Sequence, residues 1–166
     1  MDHEQIKIWL EEATGGTAHV VPNSHPVTYV VPVEQLPAVL TDLHKLPDFL
    51  FDQLACLTGI DNGPASNSME VVYHLYSIPF NKALAVKVIV PRNHPEVPSV
   101  SGIWRTANWH EREAFDLLGI RFTGHPDLRR ILLPADWEGH PLRKDYEEQP
   151  TYRGMSVKYD REKLYP

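Results

Sequence analysis

The stretch that decides the fold runs from Met69 to Val90 and reads MEVVYHLYSIPFNKALAVKVIV. Both halves are rich in β-branched and aromatic residues, which favour strands. From Leu84 onward, leucine and valine occupy every second position, so they share one face of a strand. The interval between the halves is short enough for a tight connection. We therefore predict an antiparallel hairpin of two strands, 69–77 and 84–90.

Apolar residues recur at intervals of three and four in two stretches on the N-terminal side of this hairpin, 6–13 and 36–43. This period predicts two amphipathic helices. Residues 27–31 are β-branched and aromatic and predict a strand between them. Residues 49–57 are apolar and leave two alternatives open, a strand or a buried connection.

A third helix is predicted from about Thr106 to Leu118. Thr106 or Asn108 is a candidate N-cap, and Gly119 stands where a left-handed C-cap residue is expected.

Prolines divide the chain after this helix at intervals of seven to nine residues, which is too frequent for long helices or central strands. They are Pro126, Pro134, Pro141 and Pro150. The predicted fold class is α+β, with helices on one side of a mainly antiparallel or mixed sheet and an irregular, extended C-terminal arm. We place the α+β domain at residues 1–120 and a partner-binding arm and tail at residues 121–166, because a long irregular segment is typically functional or bound to a partner.

The composition excludes several classes of protein. The chain has 166 residues, a net charge of −6 and a single cysteine, Cys56. One thiolate cannot hold an iron–sulfur cluster or build a disulfide framework, and a net acidic chain lacks the basic surface of a nucleic-acid binder. No apolar run approaches the length of a membrane span, and the acidic N-terminus does not resemble a signal peptide. In its apolar context, Cys56 is expected to be buried and inert.

The charges are unevenly distributed. Residues 1–103 contain five Lys and Arg against eleven Asp and Glu, whereas residues 104–145 contain seven of each sign. Dense, balanced charge indicates either paired contacts, within the chain or with another protein, or an ordinary solvated face.

The sequence contains no glycine-rich phosphate loop and no nucleophile elbow. A metal site would form only if separate loops brought His125 and His140 together with Asp127 or Asp136, and ordinary backbone hydrogen bonds of the two histidines are the simpler interpretation.

Charged residues crowd the third predicted helix. Glu111 and Glu113 diverge on it and cannot form a close acid–base pair. The pairs Glu111–Arg112 and Arg112–Asp116 are instead expected to form a lattice of ion pairs on that helix.

The stretch from Trp109 to Tyr146 carries several motifs in a fixed order. They are Glu111-Arg112-Glu113, Asp116-Leu117-Leu118, His125, Arg129-Arg130-Ile131-Leu132 and Pro141-Leu142-Arg143-Lys144-Asp145-Tyr146. This order and spacing resembles the signature of the C-subunit family of proton-translocating NADH:quinone oxidoreductase (respiratory complex I), also called the 30 kDa subunit family. The resemblance covers most of the chain and is strongest over residues 84–146.

The resemblance implies a subunit of the hydrophilic arm that has no active site and no cofactor of its own. NADH, FMN, iron–sulfur clusters and quinone would belong to other subunits. The implied partners are chiefly the D subunit at the quinone site and the B subunit with the terminal cluster, at the cytoplasmic face of the bacterial inner membrane, with the membrane reached only through the complex.

On this interpretation the third helix presents charge to a partner or to the arm through Glu111, Arg112, Glu113 and Asp116. The basic residues that follow are expected to pair with acidic groups, in this chain or on the partner, and they are Arg129, Arg130, Arg143 and Lys144. The signature and interface residues number twelve. They are Glu111, Arg112, Glu113, Asp116, His125, Arg129, Arg130, His140, Arg143, Lys144, Asp145 and Tyr146. The tail, residues 147–166, would lie along the partner through Tyr146, Tyr152, Tyr159 and Tyr165, with simple disorder as the alternative. Two alternatives stay open: the equivalent subunit of a related membrane-bound hydrogenase or ferredoxin-fed oxidoreductase, and a free-standing metal-dependent hydrolase built on the two histidines and two aspartates named above.

Overall fold

A computed structural model of the chain describes residues 3–157. Its helices are α1 (His3–Ala13), α2 (Leu36–Lys45) and α3 (Ala107–Leu118). Its strands are β1 (His19–Val21), β2 (Thr28–Val30), β3 (Gln53–Asp61), β4 (Ser68–Ser77), β5 (Lys82–Pro91), β6 (Glu96–Pro98), β7 (Arg121–Thr123), β8 (Thr151–Tyr152) and β9 (Met155–Ser156). The three predicted helices and the predicted β2, β4 and β5 are therefore confirmed.

The main sheet has five strands in the order β1-β2-β5-β4-β3. Strands β4 and β5 pair antiparallel from Ser68 opposite Pro91 to Ser77 opposite Lys82, which confirms the central hairpin. Strand β2 runs parallel to β5, whereas β1 and β3 pair antiparallel with their neighbours. The sheet is therefore mixed, and the predicted fold class is confirmed.

The period of two along β4 and β5 separates the two faces of the sheet. On β4 every second side chain from Met69 to Ser77 is buried, and on β5 the alternating residues from Leu84 to Val90 are buried. These side chains form one core with Ile6 of α1 and the apolar face of α2. Burial of that single face is what gives the strands their register, because a slip of one residue would expose it.

Residues 49–57, left open by the sequence, divide into a connection and a strand. Leu50 takes a positive φ of 44° in a turn, and β3 begins at Gln53. Strand β3 forms the edge of the sheet next to α3, where Gly59 allows the helix to approach. A Cβ atom on Gly59 would lie 2.5 Å from Leu118 and 3.0 Å from Ile120.

Helix α3 begins without the predicted side-chain cap. Thr106 occupies the N-cap position in a helical conformation and makes no capping hydrogen bond, so the prediction of a Thr106 or Asn108 cap was wrong. The C-terminal prediction is confirmed, because Gly119 is left-handed with φ 75° and its N–H bonds to the Phe115 carbonyl. The short parallel pair β6 and β7 was not predicted, since prolines flank β6.

The chain after β7 is mostly irregular, as predicted, with one small hairpin of β8 and β9. The predicted boundary at residue 120 falls immediately before β7, which pairs with β6, and residues 129–146 lie against α3 and β3. That residues 121–166 also bind a partner stays a prediction. Within the described residues, no helix is long and apolar enough to cross a membrane.

Candidate functional site

The charged residues of α3 point inward as well as outward. Glu111 is fully buried, and its carboxylate accepts hydrogen bonds from the Val100 N–H (2.7 Å) and the Ser99 hydroxyl (2.6 Å). Burial raises the pKa of Glu111 to about 7, and the two hydrogen bonds only partly oppose this shift. The expectation that Glu111 presents its charge to a partner or to the arm was wrong, because its carboxylate faces the interior of this chain. It ties the start of the loop before α3 to the helix.

His125 completes this buried cluster. Its side chain is fully buried, with Nε2 3.2 Å from the Asn108 carbonyl oxygen and 3.9 Å from Glu111 Oε2. Its Nδ1 accepts a hydrogen bond from the Asp127 N–H at 3.0 Å. Since Nδ1 is an acceptor, Nε2 carries the proton and donates to Asn108. The ring thus fixes the turn after β7 on α3.

Asp116 is the second buried carboxylate of α3. One oxygen accepts hydrogen bonds from three consecutive N–H groups, those of Ile131, Leu132 and Leu133, at 2.8–3.0 Å. The other oxygen lies 2.8 Å from Arg130 Nη1. Burial pushes the pKa of Asp116 upward, but the three N–H groups and Arg130 together hold it below the usual value. Asp116 therefore stays ionised and holds the loop 130–133 in place.

Arg130 connects that loop to the next turn. Besides Asp116, its guanidinium donates to the carbonyl oxygens of Trp137 (3.1 Å) and Gly139 (3.0 Å). A planar guanidinium with five N–H donors suits such a multiple contact. Arg130 was expected to pair with an acidic group, in this chain or on a partner, and here it pairs within the chain.

The last carbonyl groups of α3 are bonded by side chains from the irregular segment. His140 Nδ1 lies 2.9 Å from the Asp116 carbonyl oxygen, and Arg143 Nε donates to the Leu118 carbonyl at 2.7 Å. Such carbonyls have no partner inside the helix, so cations and donors near them are favourable. Burial, Arg143 and Arg130 lower the pKa of His140, which keeps the ring neutral. Gly119 leaves room for both side chains.

The predicted lattice of ion pairs on α3 is wrong. Arg112 pairs with neither Glu111 nor Asp116 in the described residues. It is almost buried, lies over the ring of Trp109 at 5.1 Å and donates to the Arg129 carbonyl at 3.2 Å. Ion pairs between near neighbours on the helix were expected from the sequence alone, but the loop 129–133 offers better partners.

A third buried carboxylate, Asp61 at the end of β3, was missed by the sequence analysis. It accepts two hydrogen bonds from Arg92, at 2.7 and 3.0 Å, and further ones from the N–H groups of Gly63 and Lys144. Arg92 also contacts Asp145. The Arg92 guanidinium holds the pKa of Asp61 well below its usual range. Nothing in the sequence separates Asp61 from an ordinary turn residue in Asp-Asn-Gly-Pro.

The remaining predicted site residues are more exposed. Arg129 pairs with Asp127 at the surface, at 3.0 Å, and the Tyr146 hydroxyl accepts a hydrogen bond from Trp137 Nε1 at 3.1 Å. The side chain of Lys144 is exposed and packs beside Gly63. Glu113 is exposed and has no hydrogen bond or ion pair within residues 3–157.

The residues of the hydrolase alternative do not converge. His125 and His140 bond to different carbonyl groups, and Asp136 is bound by Tyr152 and Arg153. In the part of the chain that the structure describes, no three His, Cys, Asp or Glu side chains lie close enough together to hold a metal ion.

Comparison with known proteins agrees with the signature. The family described as "Respiratory-chain NADH dehydrogenase, 30 Kd subunit" matches residues 29–152, which is most of the chain. The chain belongs to this family. The matched range begins within β2 and continues to the end of β8, and it contains α2, α3 and every charged residue of the clusters around Glu111, Asp116 and Asp61.

Relatives and solved structures extend this family assignment. The C subunit of the NADH-quinone oxidoreductase of Chlorobium phaeobacteroides is 46% identical and covers 81% of each chain, and that of Moorella thermoacetica is 52% identical over 72% of this chain and 79% of its own. A trypsin-resistant fragment (1–134) of Nqo5 has a TM-score of 0.61 at 32% identity, over 75% of this chain and 99% of its own. A chain of the archaeal membrane-bound sulfane sulfur reductase has a TM-score of 0.71 at 23% identity, over 87% of this chain and 85% of its own, and so shares the fold.

Two further predictions concern the tail and the cysteine. Tyr152 donates to Asp136 at 2.7 Å and packs on Trp137, whereas Tyr159 and Tyr165 lie outside the described residues. Cys56 is half-buried rather than buried, because the register of β3 shifts between Leu54 and Cys56.

Three buried carboxylates organise this site, those of Glu111 and Asp116 on α3 and of Asp61 on β3. They accept hydrogen bonds from backbone N–H groups and arginine side chains and so hold the surrounding loops in place. Each of them accepts the hydrogen bonds that a buried carboxylate requires. What the arrangement does chemically is to fix loops in position.

Proposed function

We propose that this chain is a structural and assembly subunit in the hydrophilic arm of NADH:quinone oxidoreductase and that it holds no redox centre. It supports electron transfer from NADH to quinone, coupled to proton translocation, by holding neighbouring subunits in place. The family assignment supports the complex, and the inward-facing carboxylates support the structural role.

One observation carries this proposal. Three charged side chains of the signature, those of Asp116, Arg130 and Arg143, are used in bonds within the chain that hold the segment 129–146. A catalytic carboxylate needs access to substrate, whereas Asp116 is fully buried and has all its hydrogen bonds directed to one loop. The signature therefore specifies a surface shape rather than a reaction.

The absence of a cofactor is proposed from the donor groups. One cysteine in 166 residues cannot supply the thiolates of an iron–sulfur cluster, and the sequence has no phosphate-binding loop for a nucleotide or flavin. Electrons would pass through other subunits. We propose the D and B subunits as chief partners and, through them, a peripheral position at the cytoplasmic face of the inner membrane.

The alternative of a related membrane-bound oxidoreductase has less support. Its basis is the likeness to the sulfane sulfur reductase chain, which at 23% identity reflects the fold. Relatives above 40% identity are named as the C subunit of NADH-quinone oxidoreductase.

Affinity purification tests the proposal. A tagged copy of the chain, expressed in place of the native one, should bring down a large NADH- and quinone-active assembly containing D and B from detergent-solubilised membranes. Recovery only as a soluble monomer would overturn the proposal.

A variant separates a structural role from a catalytic one. Asp116→Asn should lower the amount of assembled complex, while NADH:quinone turnover per assembled complex stays unchanged, and Asp127→Asn, a surface change, should alter neither. Normal assembly with reduced turnover in Asp116→Asn would show that the residue acts in catalysis.

A further inference from the structure

A cleft of about 220 Å³ lies between the edge strand β3 and helix α3. Cys56 and Thr58 line it from the strand, Leu117 and Ala114 from the helix, and Leu142 from the irregular segment. Its wall is therefore mainly apolar, and its volume suits one large side chain.

The rim of the cleft exposes a large apolar side chain, that of Leu142, which is 59% exposed. Glu113 and Leu117, which also line the cleft, are four residues apart and so lie on one face of α3. Apolar side chains around a concave site are typical of a protein–protein contact, in which a few anchors supply most of the binding energy.

The cleft is held in shape before any partner binds. The Leu142 N–H donates to the Leu117 carbonyl at 3.0 Å, and the side chain of the next residue, Arg143, donates to the Leu118 carbonyl. A preformed site loses little conformational entropy on binding, so its apolar area contributes more fully to affinity.

Glu113 gives the site its charge. It lies at the rim, and unlike Glu111, Arg112 and Asp116 it has no partner within the described residues. Covering an unpaired carboxylate is unfavourable unless the partner supplies a cation. The surface is therefore complementary to an apolar side chain flanked by lysine or arginine.

We infer that this cleft, with Glu113 at its rim, is a docking site for a neighbouring subunit, which inserts an apolar side chain beside Leu142 and pairs a basic side chain with Glu113. The inference rests on the proposed function, since it identifies where the chain contacts the assembly.

Thiol labelling tests whether the cleft is covered. Cys56 is the only cysteine, so Cys56→Ser removes all background, and Leu142→Cys then places a single thiol at the rim. Ile78→Cys in the same background is the matched control, because Ile78 is similarly exposed and lies in the β4–β5 turn, outside the lining of the cleft. N-ethylmaleimide should label both variants at similar rates in the free chain.

In the assembled complex, the Leu142→Cys thiol should react at least about tenfold more slowly, and the Ile78→Cys thiol should keep its rate. Equal labelling of the Leu142→Cys thiol in free and assembled protein would overturn the inference. So would protection already present in the free chain, because the occupant would then be this chain's own tail or a second copy. The wild-type chain still co-purifies with the complex in each case if the proposed function holds, so the two failures are distinguishable.

Charge reversal tests the predicted cation. Glu113→Lys should lower incorporation into the complex by about tenfold or more, through like-charge repulsion, and Glu113→Gln should have a smaller effect. Glu34→Lys changes another glutamate outside the cleft identically and should leave incorporation unchanged. Since Glu113 bonds nothing in the described part of the chain, the thermal midpoint of the free variant should equal that of the wild type. Wild-type incorporation of Glu113→Lys would overturn the inference.

Discussion

Asp116 and Arg130 form a buried ion pair with 2.8 Å between Oδ1 and Nη1, while the other oxygen of Asp116 accepts three consecutive backbone N–H groups. One side chain thus accepts hydrogen bonds from three backbone N–H groups, those of residues 131–133, which would otherwise be unpaired near the protein interior. The conformation of the loop 130–133 therefore depends on a single carboxylate.

Asp116→Asn should destabilise the protein by about 3 kcal/mol, because the amide retains one acceptor oxygen and places N–H donors opposite another donor. Urea unfolding at pH 7 measures the free energy, and trypsin should cleave the variant faster at Arg129 and Arg130. The matched control is Asp127→Asn, which removes an exposed pair with Arg129 and should cost less than about 1 kcal/mol. Equal losses of stability in the two variants would contradict the conclusion that Asp116 holds the loop 130–133 in place.

Arg92→Ala tests the contribution of the buried pair of Asp61 and Arg92 to stability. It leaves the buried carboxylate of Asp61 without its main partner, so we expect a loss of about 3 kcal/mol in the free energy of unfolding. Asp145→Ala removes only the exposed end of the same network and should cost less than about 1 kcal/mol. A larger loss for Asp145→Ala than for Arg92→Ala would show that the tie to the arm, not the burial of Asp61, dominates.

The stability that Asp61 contributes should change with pH in a definite direction. The pKa of Asp61 is lowered in the folded state, so its contribution is fully present above about pH 4 and is lost as the pH falls below that value. Wild-type protein should lose stability on acidification in this range more steeply than Arg92→Ala. Equally steep acid curves by circular dichroism would contradict the assignment to Asp61.

The main sheet and the helices could be predicted because each element repeats its own period. The alternation from Leu84 to Val90 and the intervals of three and four in α2 report the buried face directly. The sequence does not distinguish a strand from a buried connection over residues 49–57. The register of β3 shifts between Leu54 and Cys56, and this shift interrupts the alternation of buried and exposed residues that identifies a strand.

The family, but not the role of its charges, could be predicted from the signature. Local rules pair Arg112 with carboxylates on its own helix, whereas in the structure Glu111 bonds Ser99 and Asp116 bonds a loop 14 to 17 residues downstream. Such contacts depend on how loops return to the helix, which no sequence interval encodes. The same holds for Asp61 and Arg92, which are 31 residues apart.

Glu111 should give a pH dependence of the opposite sign to that of Asp61. The pKa of Glu111 is raised to about 7, so the folded state binds more protons than the unfolded state, and wild-type stability should fall as the pH rises from about 4.5 to about 7. The loss over this range is about 3 kcal/mol. Glutamine can accept from the Val100 N–H and donate to Ser99 without a charge, so Glu111→Gln should be flatter over this range and more stable than wild type at pH 8. If urea unfolding showed the same change of stability with pH in wild type and in Glu111→Gln, the raised pKa of Glu111 would be contradicted.

Gly119→Ala tests the space at the end of α3. Both Gly119 and Gly16 have a positive φ, 75° and 78°, so alanine at either position should cost about 1 kcal/mol in backbone strain. A Cβ atom at Gly16 meets nothing within 4 Å, whereas at Gly119 it would lie 2.6 Å from His140 Nε2 and 2.7 Å from Arg143 Nη2. These side chains must move, and their hydrogen bonds to α3 weaken, so Gly119→Ala should lose a further ~1–3 kcal/mol. Thermal unfolding of the two variants checks the difference, and equal midpoints would mean that the segment 140–143 is not closely packed against the helix end.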